Sequence, residues 1–401
     1  MNQRQSKDTL FEFNEQVFSY LLKLLKRNMP LTVSRHKLDE DKLWTILLSA
    51  SVGQTTIEAT CQQLKEAVSG NRMREHLVEQ FSSCRLSTQQ LEAKINQTLR
   101  DALPAPVKAE LAKRKWETAG DRVEIPYYGK VSEENQFVRR SSAKTGTTHF
   151  YCFASLTLIN KRRRYTIAIA MVRRGEKMVA VVERLLSQAK QLGVSLKLTW
   201  WDKAFAVIEV IRYLRAQAIA YIIALAQRGG SGGIKRLCCG RKSVICQYRF
   251  QSAKAGEVET EVAVVCKYSK KRYRRLGVRY FCYAIYGVGQ MRVEKVFNKY
   301  RRRFVIESSY RQMHQVRARC AMKNVNIRLL LIGLAILIVN IYVLLRTVVV
   351  SVNQYGERQR QSKLKLEQMR GELEQLIRQK LGLKQNLYCR NYALYRSFVI
   401  Y

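Results

Sequence analysis

Between Trp116 and Ala226 the apolar residues switch repeatedly between a period of two and a helical period, and the order of those switches leaves few folds open. The stretch KWETAGDRVEIPYYGK around Asp121 has strand-like flanks, with Pro126 forcing a turn. Two β-rich runs follow at Thr147–Ile159 and Arg164–Val172, joined at Lys161-Arg162-Arg163, a basic hairpin tip. Lys177–Leu192 reads as an amphipathic helix, Leu196–Trp201 as a short apolar strand ending at Asp202, Phe205–Ala216 as a helix and Ile219–Ala226 as a buried strand. Strand, strand, strand, helix, strand, helix, strand predicts an α/β fold on a mixed sheet.

The flanks have other patterns. Residues 8–28, 41–52, Ile57–Ala67, Arg72–Phe81 and 86–100 read as helices, separated by Pro30, Gly53 and the turn Ser69-Gly70-Asn71, and Pro104 and Pro106 mark a linker. This predicts an all-helical N-terminal domain over residues 1–103. Its helix-turn-helix order is compatible with DNA binding through Asn71, Arg72 and Arg74, and equally with an ordinary three-helix packing unit. After Ala226, the glycine run Gly229–Gly233 predicts a flexible joint. Val244–Phe250, Val258–Tyr268 and Val278–Val288 then alternate as strands, with KKRYRR at Lys270–Arg275 as a positive tip. This predicts a β-rich insertion over 229–298, between a first part of the α/β domain at 116–228 and a second at 299–350. Leu329–Leu345 is apolar enough to be a short membrane span, but its length is marginal and no second span accompanies it, so the expectation is a buried closing helix. Residues 351–401 read as a basic helical tail whose Leu366, Met369, Leu373, Leu376 and Leu383 form a self-packing or dimerising seam.

Charge narrows the partners. Lys plus Arg number 72 against 31 acids, a formal net charge of +41, which predicts a polyanionic partner, nucleic acid or an anionic membrane surface. Ten cysteines without a CxxC pair and only four histidines give a zinc site little support. The N-terminus lacks the apolar core of a signal peptide, which predicts a cytoplasmic, nucleoid-associated protein.

Acids are scarce enough that three of them stand out: Asp121, Asp202 at a strand end, and Glu307 on a helix among arginines. Carboxylates from converging elements are what two-metal phosphodiester chemistry requires, because hard cations take oxygen ligands. The alternative for Glu307 is a solvated helix face with ion pairs to Arg303 and Arg311.

The stretches DRVEIPYYGK, AKTGTTHFYCFASLTLI, WDKAFAVIEVIRYL and YRRRFVIESSYRQM resemble the DDE transposases of bacterial insertion sequences, in the branch with a β insertion inside a ribonuclease H-like domain. The last stretch matches that family's Tyr-x2-Arg-x3-Glu-x6-Lys signature at Tyr300, Arg303 and Glu307. The resemblance implies a ribonuclease H-like mixed sheet and a transposase that binds inverted-repeat DNA ends. It also implies Mg²⁺-dependent strand cleavage and transfer, with two Mg²⁺ ions (or Mn²⁺ in their place) on Asp121, Asp202 and Glu307. Tyr300, Arg303, Arg311, His314 and Lys203 would contact DNA, and the protein would act as a homo-oligomer on double-stranded DNA, both transposon ends and target.

Three features depart from the pattern. His314 stands at the signature lysine, Lys115–Gly120 (KWETAG) is polar for a central strand, and Trp200-Trp201 precedes Asp202 where smaller residues pack more easily. They give weight to the alternative of an inactive, eroded transposase that only binds DNA.

Overall fold

The computed structural model describes residues 3–31, 38–64, 68–82, 86–132, 135–160, 163–227, 233–268, 277–352 and 365–382. Nine strands form one mixed sheet: β1 (Trp116–Pro126), β2 (Val138–Lys144), β3 (Thr147–Asn160), β4 (Arg163–Val172), β5 (Leu196–Trp201), β6 (Tyr221–Leu225), β7 (Val244–Ser252), β8 (Gly256–Tyr268) and β9 (Val278–Tyr286). The spatial order is β2-β3-β1-β5-β6-β9-β8-β7, with β4 also paired to β3. β1, β3 and β4 are antiparallel neighbours, while β5 and β6 run parallel to β1. The two parallel steps are made through helices α7 (Met178–Gln191) and α8 (Ile208–Ala216), the connection that parallel strands need. The expected α/β mixed sheet is therefore present, with β2 as a strand that the sequence pattern did not show.

The segment KWETAG is not a weak start to β1. Thr118, Ala119 and Gly120 are fully enclosed between β3 and β5, and Glu117 pairs with Lys299 at 3.3 Å and Arg302 at 3.4 Å. Glu117 has cationic partners, and β1 lies between β3 and β5 as a central strand, although the buried Thr118 hydroxyl has no hydrogen-bond partner among the described residues. The Pro104–Pro106 segment is likewise not a linker. It starts a short helix, Ala105–Glu110, where proline in the first turn costs no hydrogen bond. The helix expected from Phe205 begins at Ile208, after a 3-10 turn at Lys203–Phe205. Lys161-Arg162, Gly229–Gly232, Lys270–Arg275 and Leu383 lie outside the described residues.

Two domain expectations change. β7, β8 and β9 are not a separate insertion body: β9 pairs along β6 from Tyr221↔Tyr286 to Leu225↔Cys282, so the three strands continue the same sheet. The N-terminal helices are not detached either. They are Gln3–Asn28, Glu40–Val52, Ile57–Gln62, Gly70–Gln80 and Thr88–Asp101, and they share one core with the sheet and with the long helix Val325–Val352.

The reason lies at β4, whose free edge would otherwise expose backbone polar groups. Asn96 accepts from the Ile169 N–H at 2.8 Å and donates to its carbonyl at 3.0 Å. Asn340, in the middle of Val325–Val352, does the same at Thr166, at 3.0 and 2.8 Å. Glu92 accepts from Met171 N–H at 2.7 Å and is held by Arg184. Side chains from two helices thus complete the hydrogen bonding of this strand. Gly333, the other exception in the apolar run, lets that helix approach Ile95, whose side chain lies 2.8 Å from where a Cβ would be. The helix is long and apolar enough to cross a membrane, yet 89% of its apolar stretch is buried inside the protein, which agrees with a closing core helix. The tail helix Leu366–Leu381 buries Leu366, Met369, Leu373, Leu376 and Ile377 against the chain's own first two helices, so the seam is self-packing.

Asn340→Leu leaves the Thr166 N–H and carbonyl buried without partners, and should lower unfolding free energy by about 2–5 kcal/mol in urea titrations although the helix becomes more apolar.

Candidate active site

The parallel pairing of β1 and β5 ends at Gly120↔Trp201. The next residue on each strand is an aspartate, so register alone sets Asp121 and Asp202 side by side where the edge of β1 becomes free. Packing of the preceding pair enforces this. A Cβ on Gly120 would lie 2.1 Å from the Trp201 ring, so the glycine is the space the indole occupies. Trp201 is fully buried, donates to Thr199 Oγ1 at 2.9 Å and packs on Phe205. Trp200 faces the opposite layer with Ala119, Ile222 and Ile285. The two tryptophans that looked too large for this place are accommodated by Gly120 and by the alternation of the strand.

Opposite these aspartates lie helices α9 (Val293–Arg301) and α10 (Phe304–Gln315). Three contacts set their height over the sheet. Tyr300 donates to the Trp201 carbonyl at 3.2 Å, and Tyr310 donates to the Asp121 carbonyl at 3.0 Å while sharing a hydrogen bond with Ser155 at 2.8 Å. Tyr300 also packs on Tyr283 of β9, which ties the added strands to the site.

At the junction of the two helices stands Arg303, 6% exposed. Its guanidinium lies 2.5 Å from Asp121 Oδ2, 3.1 Å from Glu307 Oε1 and 3.8 Å from Asp202 Oδ1. The structure therefore gathers the three predicted acids, each from a different element, around one cation. Its Nε is buried without a partner among the described residues. An orphaned donor of this kind costs about 1–3 kcal/mol.

The electrostatics follow from three acids sharing one arginine. Burial pushes the Asp121 carboxyl up to about 6; Arg303 pulls it down, and Asp202 adds to the rise. Burial opposes the charge of Arg303, but Tyr300 and the three carboxylates outweigh it and hold the guanidinium protonated.

The DNA-contacting expectations divide. Tyr300 and Arg303 are buried structural partners of the acids rather than surface groups. Lys203, Arg311, His314, Asn71, Arg72 and Arg74 are exposed, and Arg74 donates to Asn71 at 2.9 Å. Desolvation, followed by the charge of Arg317, holds the His314 imidazole below its ordinary pKa, so it does not reproduce the lysine charge of the signature. Sequence reading missed a groove of about 960 Å³ beside Asp202, between β9 and α9. Lys203, Lys267, Arg279 and Arg301 line it together with Tyr268, Phe297 and Phe304, and no acid among the described residues does. The alternation of aromatic and basic residues in β8, β9 and α9 was its signal, but only the sheet topology brings them to one face.

A divalent cation is the group that this fold and acid pattern imply. The donor set fits it: three carboxylates supply the hard oxygens that Mg²⁺ and Mn²⁺ take, and they already converge on a positive centre. As they stand, among the described residues, no three acidic, His or Cys side chains are close enough together to hold an ion.

No family model matches the chain, and no curated protein matches it. Among solved structures it is similar to piggyBac transposase, solved by cryo-EM as a synaptic complex with hairpin DNA. The identity is 11% and the TM-score 0.55, covering 97% of this chain and 81% of that one. At that identity the likeness establishes a shared fold.

Two outcomes test this geometry. Gly120→Ala should cost about 1–3 kcal/mol by pushing the Trp201 ring out of its place, read by urea denaturation and a shift in tryptophan emission. The raised pKa of Asp121 means that between about pH 4 and about pH 6 the folded chain keeps a proton that the unfolded chain has lost. Its contribution should lower stability by about 2–3 kcal/mol as pH rises through that window, and Asp121→Asn should abolish this part of the slope.

Proposed function

We propose that this protein is a DNA transposase of the insertion-sequence type, which cuts and joins phosphodiesters at the ends of the DNA segment that encodes it. The observation that carries this reading is the convergence of Asp121, Asp202 and Glu307 on one cationic centre, in a chain of net charge +41. The shared fold supports it, with β4, β3, β1, β5 and β6 read as a ribonuclease H-like core and β7–β9 as its extension. Asp121, Asp202 and Glu307 would hold Mg²⁺ or Mn²⁺, which when bound would activate the attacking hydroxyl and offset charge on the phosphate.

The chain's own groups do the rest. Tyr300 of α9 bonds to the Trp201 carbonyl and Tyr310 of α10 to that of Asp121, which holds the helix carrying Glu307 over the strand ends. Lys203 follows Asp202 directly and carries positive charge into the acid-free groove, where a polynucleotide backbone and unstacked bases find partners. Asn71, Arg72 and Arg74 form a second exposed basic patch for reading the terminal repeats, and cutting two ends together calls for a homo-oligomer on double-stranded DNA. Such a protein works where the DNA is, at the nucleoid. Two of the three departures that suggested an eroded copy, KWETAG and Trp200-Trp201, are accommodated by packing. One observation favours a DNA-binding protein without catalysis: Arg303 already pairs with carboxylate oxygens of Asp121 and Glu307.

Cleavage of a labelled duplex carrying the repeats that flank the coding segment separates the two readings. Cutting should require Mg²⁺ or Mn²⁺ and fall about a thousandfold or more in Glu307→Gln, with DNA affinity retained. Binding without cutting at any metal concentration would establish the non-catalytic reading.

A further inference from the structure

We infer that Cys238 and Cys282 form a redox modification site: a small-molecule disulfide oxidises the pair to an intramolecular disulfide that ties the turn Gly233–Leu237 to the strand beneath it. Nothing in this depends on the reading of the three acids.

The fold brings the two thiols together across 44 positions of sequence. Cys282 lies on β9 and shares a buried cluster with Val262 and Val264 of β8. The 3-10 turn Gly233–Leu237 packs on that cluster through Ile234. Polar contacts hold the chain on either side of the turn. Arg241 N–H donates to Tyr280 Oη at 3.0 Å, and Gln227 donates to the Tyr280 carbonyl at 2.6 Å and to Cys282 Sγ at 3.7 Å. Cys238 follows the turn directly, and its Sγ lies 3.4 Å from that of Cys282. A disulfide bond is about 2.05 Å long, so the two sulfurs already touch and lack only the bond.

The two thiols are not equivalent. Cys282 is 3% exposed, whereas Cys238 reaches solvent in part. Burial pushes the Cys282 thiol up to about 12, and the charge of Cys238 adds to the rise. Burial raises Cys238 as well, but the hydrogen bond with Cys282 and the charge of Lys235 pull it back. Cys238 is therefore the thiol that ionises and meets the oxidant, and Cys282 is the one that follows. Lys235, Arg236 and Arg241 are exposed around it, which favours the approach of an anionic disulfide such as oxidised glutathione.

The exchange has two steps. The Cys238 thiolate attacks one sulfur of the oxidant R–S–S–R; a Cys238–S–S–R bond forms, the oxidant's own bond breaks, and R–S⁻ leaves and takes up a proton. Cys282 then gives its proton to solvent and attacks the Cys238 sulfur, expelling the second R–S⁻, which is protonated in turn. The two cysteines lose two electrons and the oxidant gains them as two R–SH. The product joins residues 238 and 282 around β7, β8 and the first residues of β9. Cys282 and Gln227 also line the basic groove, so the bond fixes the turn to one of its walls.

The test places the full chain in buffers of reduced and oxidised glutathione and reads intact mass and non-reduced peptide maps. Oxidised wild type should lose two free thiols and the mass of two hydrogens, with the bridge mapped to Cys238–Cys282 and both thiols restored by dithiothreitol. The single variants, each checked for folding by circular dichroism, should diverge. Cys282→Ser should stop with one glutathione on Cys238, and Cys238→Ser should leave Cys282 a free thiol. Trypsin cleavage after the exposed Lys235 and Arg236 should slow severalfold in oxidised wild type and in neither variant. Cys238 and Cys282 both still free in the oxidised buffer, or a bridge mapped to another pair such as one with Cys239, overturns the inference. An unchanged trypsin rate in fully oxidised wild type overturns it too, because the bond would then not tie the turn.

Discussion

Three carboxylates cannot be held together in a partly buried site without a counter-charge, and the arrangement around Arg303 follows from that constraint. Asp121 and Asp202 are forced side by side by the register of β1 and β5, and Glu307 is brought over them by a helix that could have docked at several heights. What selects this height is a set of contacts that all serve the acids. Arg303 bridges them, Tyr300 and Tyr310 bond to the backbone carbonyls of Trp201 and Asp121, and Glu117 receives Lys299 and Arg302 just below. The burial of Asp121 and its raised pKa are the cost of this concentration of charge.

The sheet is built to support that one corner. Gly120 gives its side-chain volume to Trp201, so the strand pair can approach at the point where the aspartates emerge. On the other side, β9 continues the sheet from β6 and contributes Tyr283 under Tyr300. The basic groove is lined by Tyr283 of β9 and Tyr300 of α9, which pack on each other in the same layer as the acidic centre.

Much of this was legible in the sequence. The switch of hydrophobic period fixed most strands and helices to within a few residues, and the scarcity of acids made Asp121, Asp202 and Glu307 conspicuous. What was not legible depends on partners distant in the chain. KWETAG looks polar because a strand's letters do not show that Glu117 has cationic partners some 180 residues away. The double tryptophan looks oversized because nothing local says that Gly120 lies beneath it. Arg303 and Tyr300 look like surface groups because arginine and tyrosine usually are, and only the helix position shows them turned inward. The separation into independent domains failed for the same reason: the polar side chains that weld the N-terminal helices to β4 are single residues, Glu92 and Asn96, in otherwise ordinary amphipathic helices.

The side chains that finish the edge of β4 also bear on how the chain is made. Synthesis delivers the helix with Glu92 and Asn96 first, then β3 and β4, and only much later the apolar helix that carries Asn340. By the time that long greasy segment leaves the ribosome, the strand it must cover has been displayed, with a backbone N–H and carbonyl at Thr166 waiting for one amide. The asparagine thus acts as an address. It directs a segment with the composition of a membrane span to a prepared slot in its own protein, and it fixes the rotation at which the segment lands.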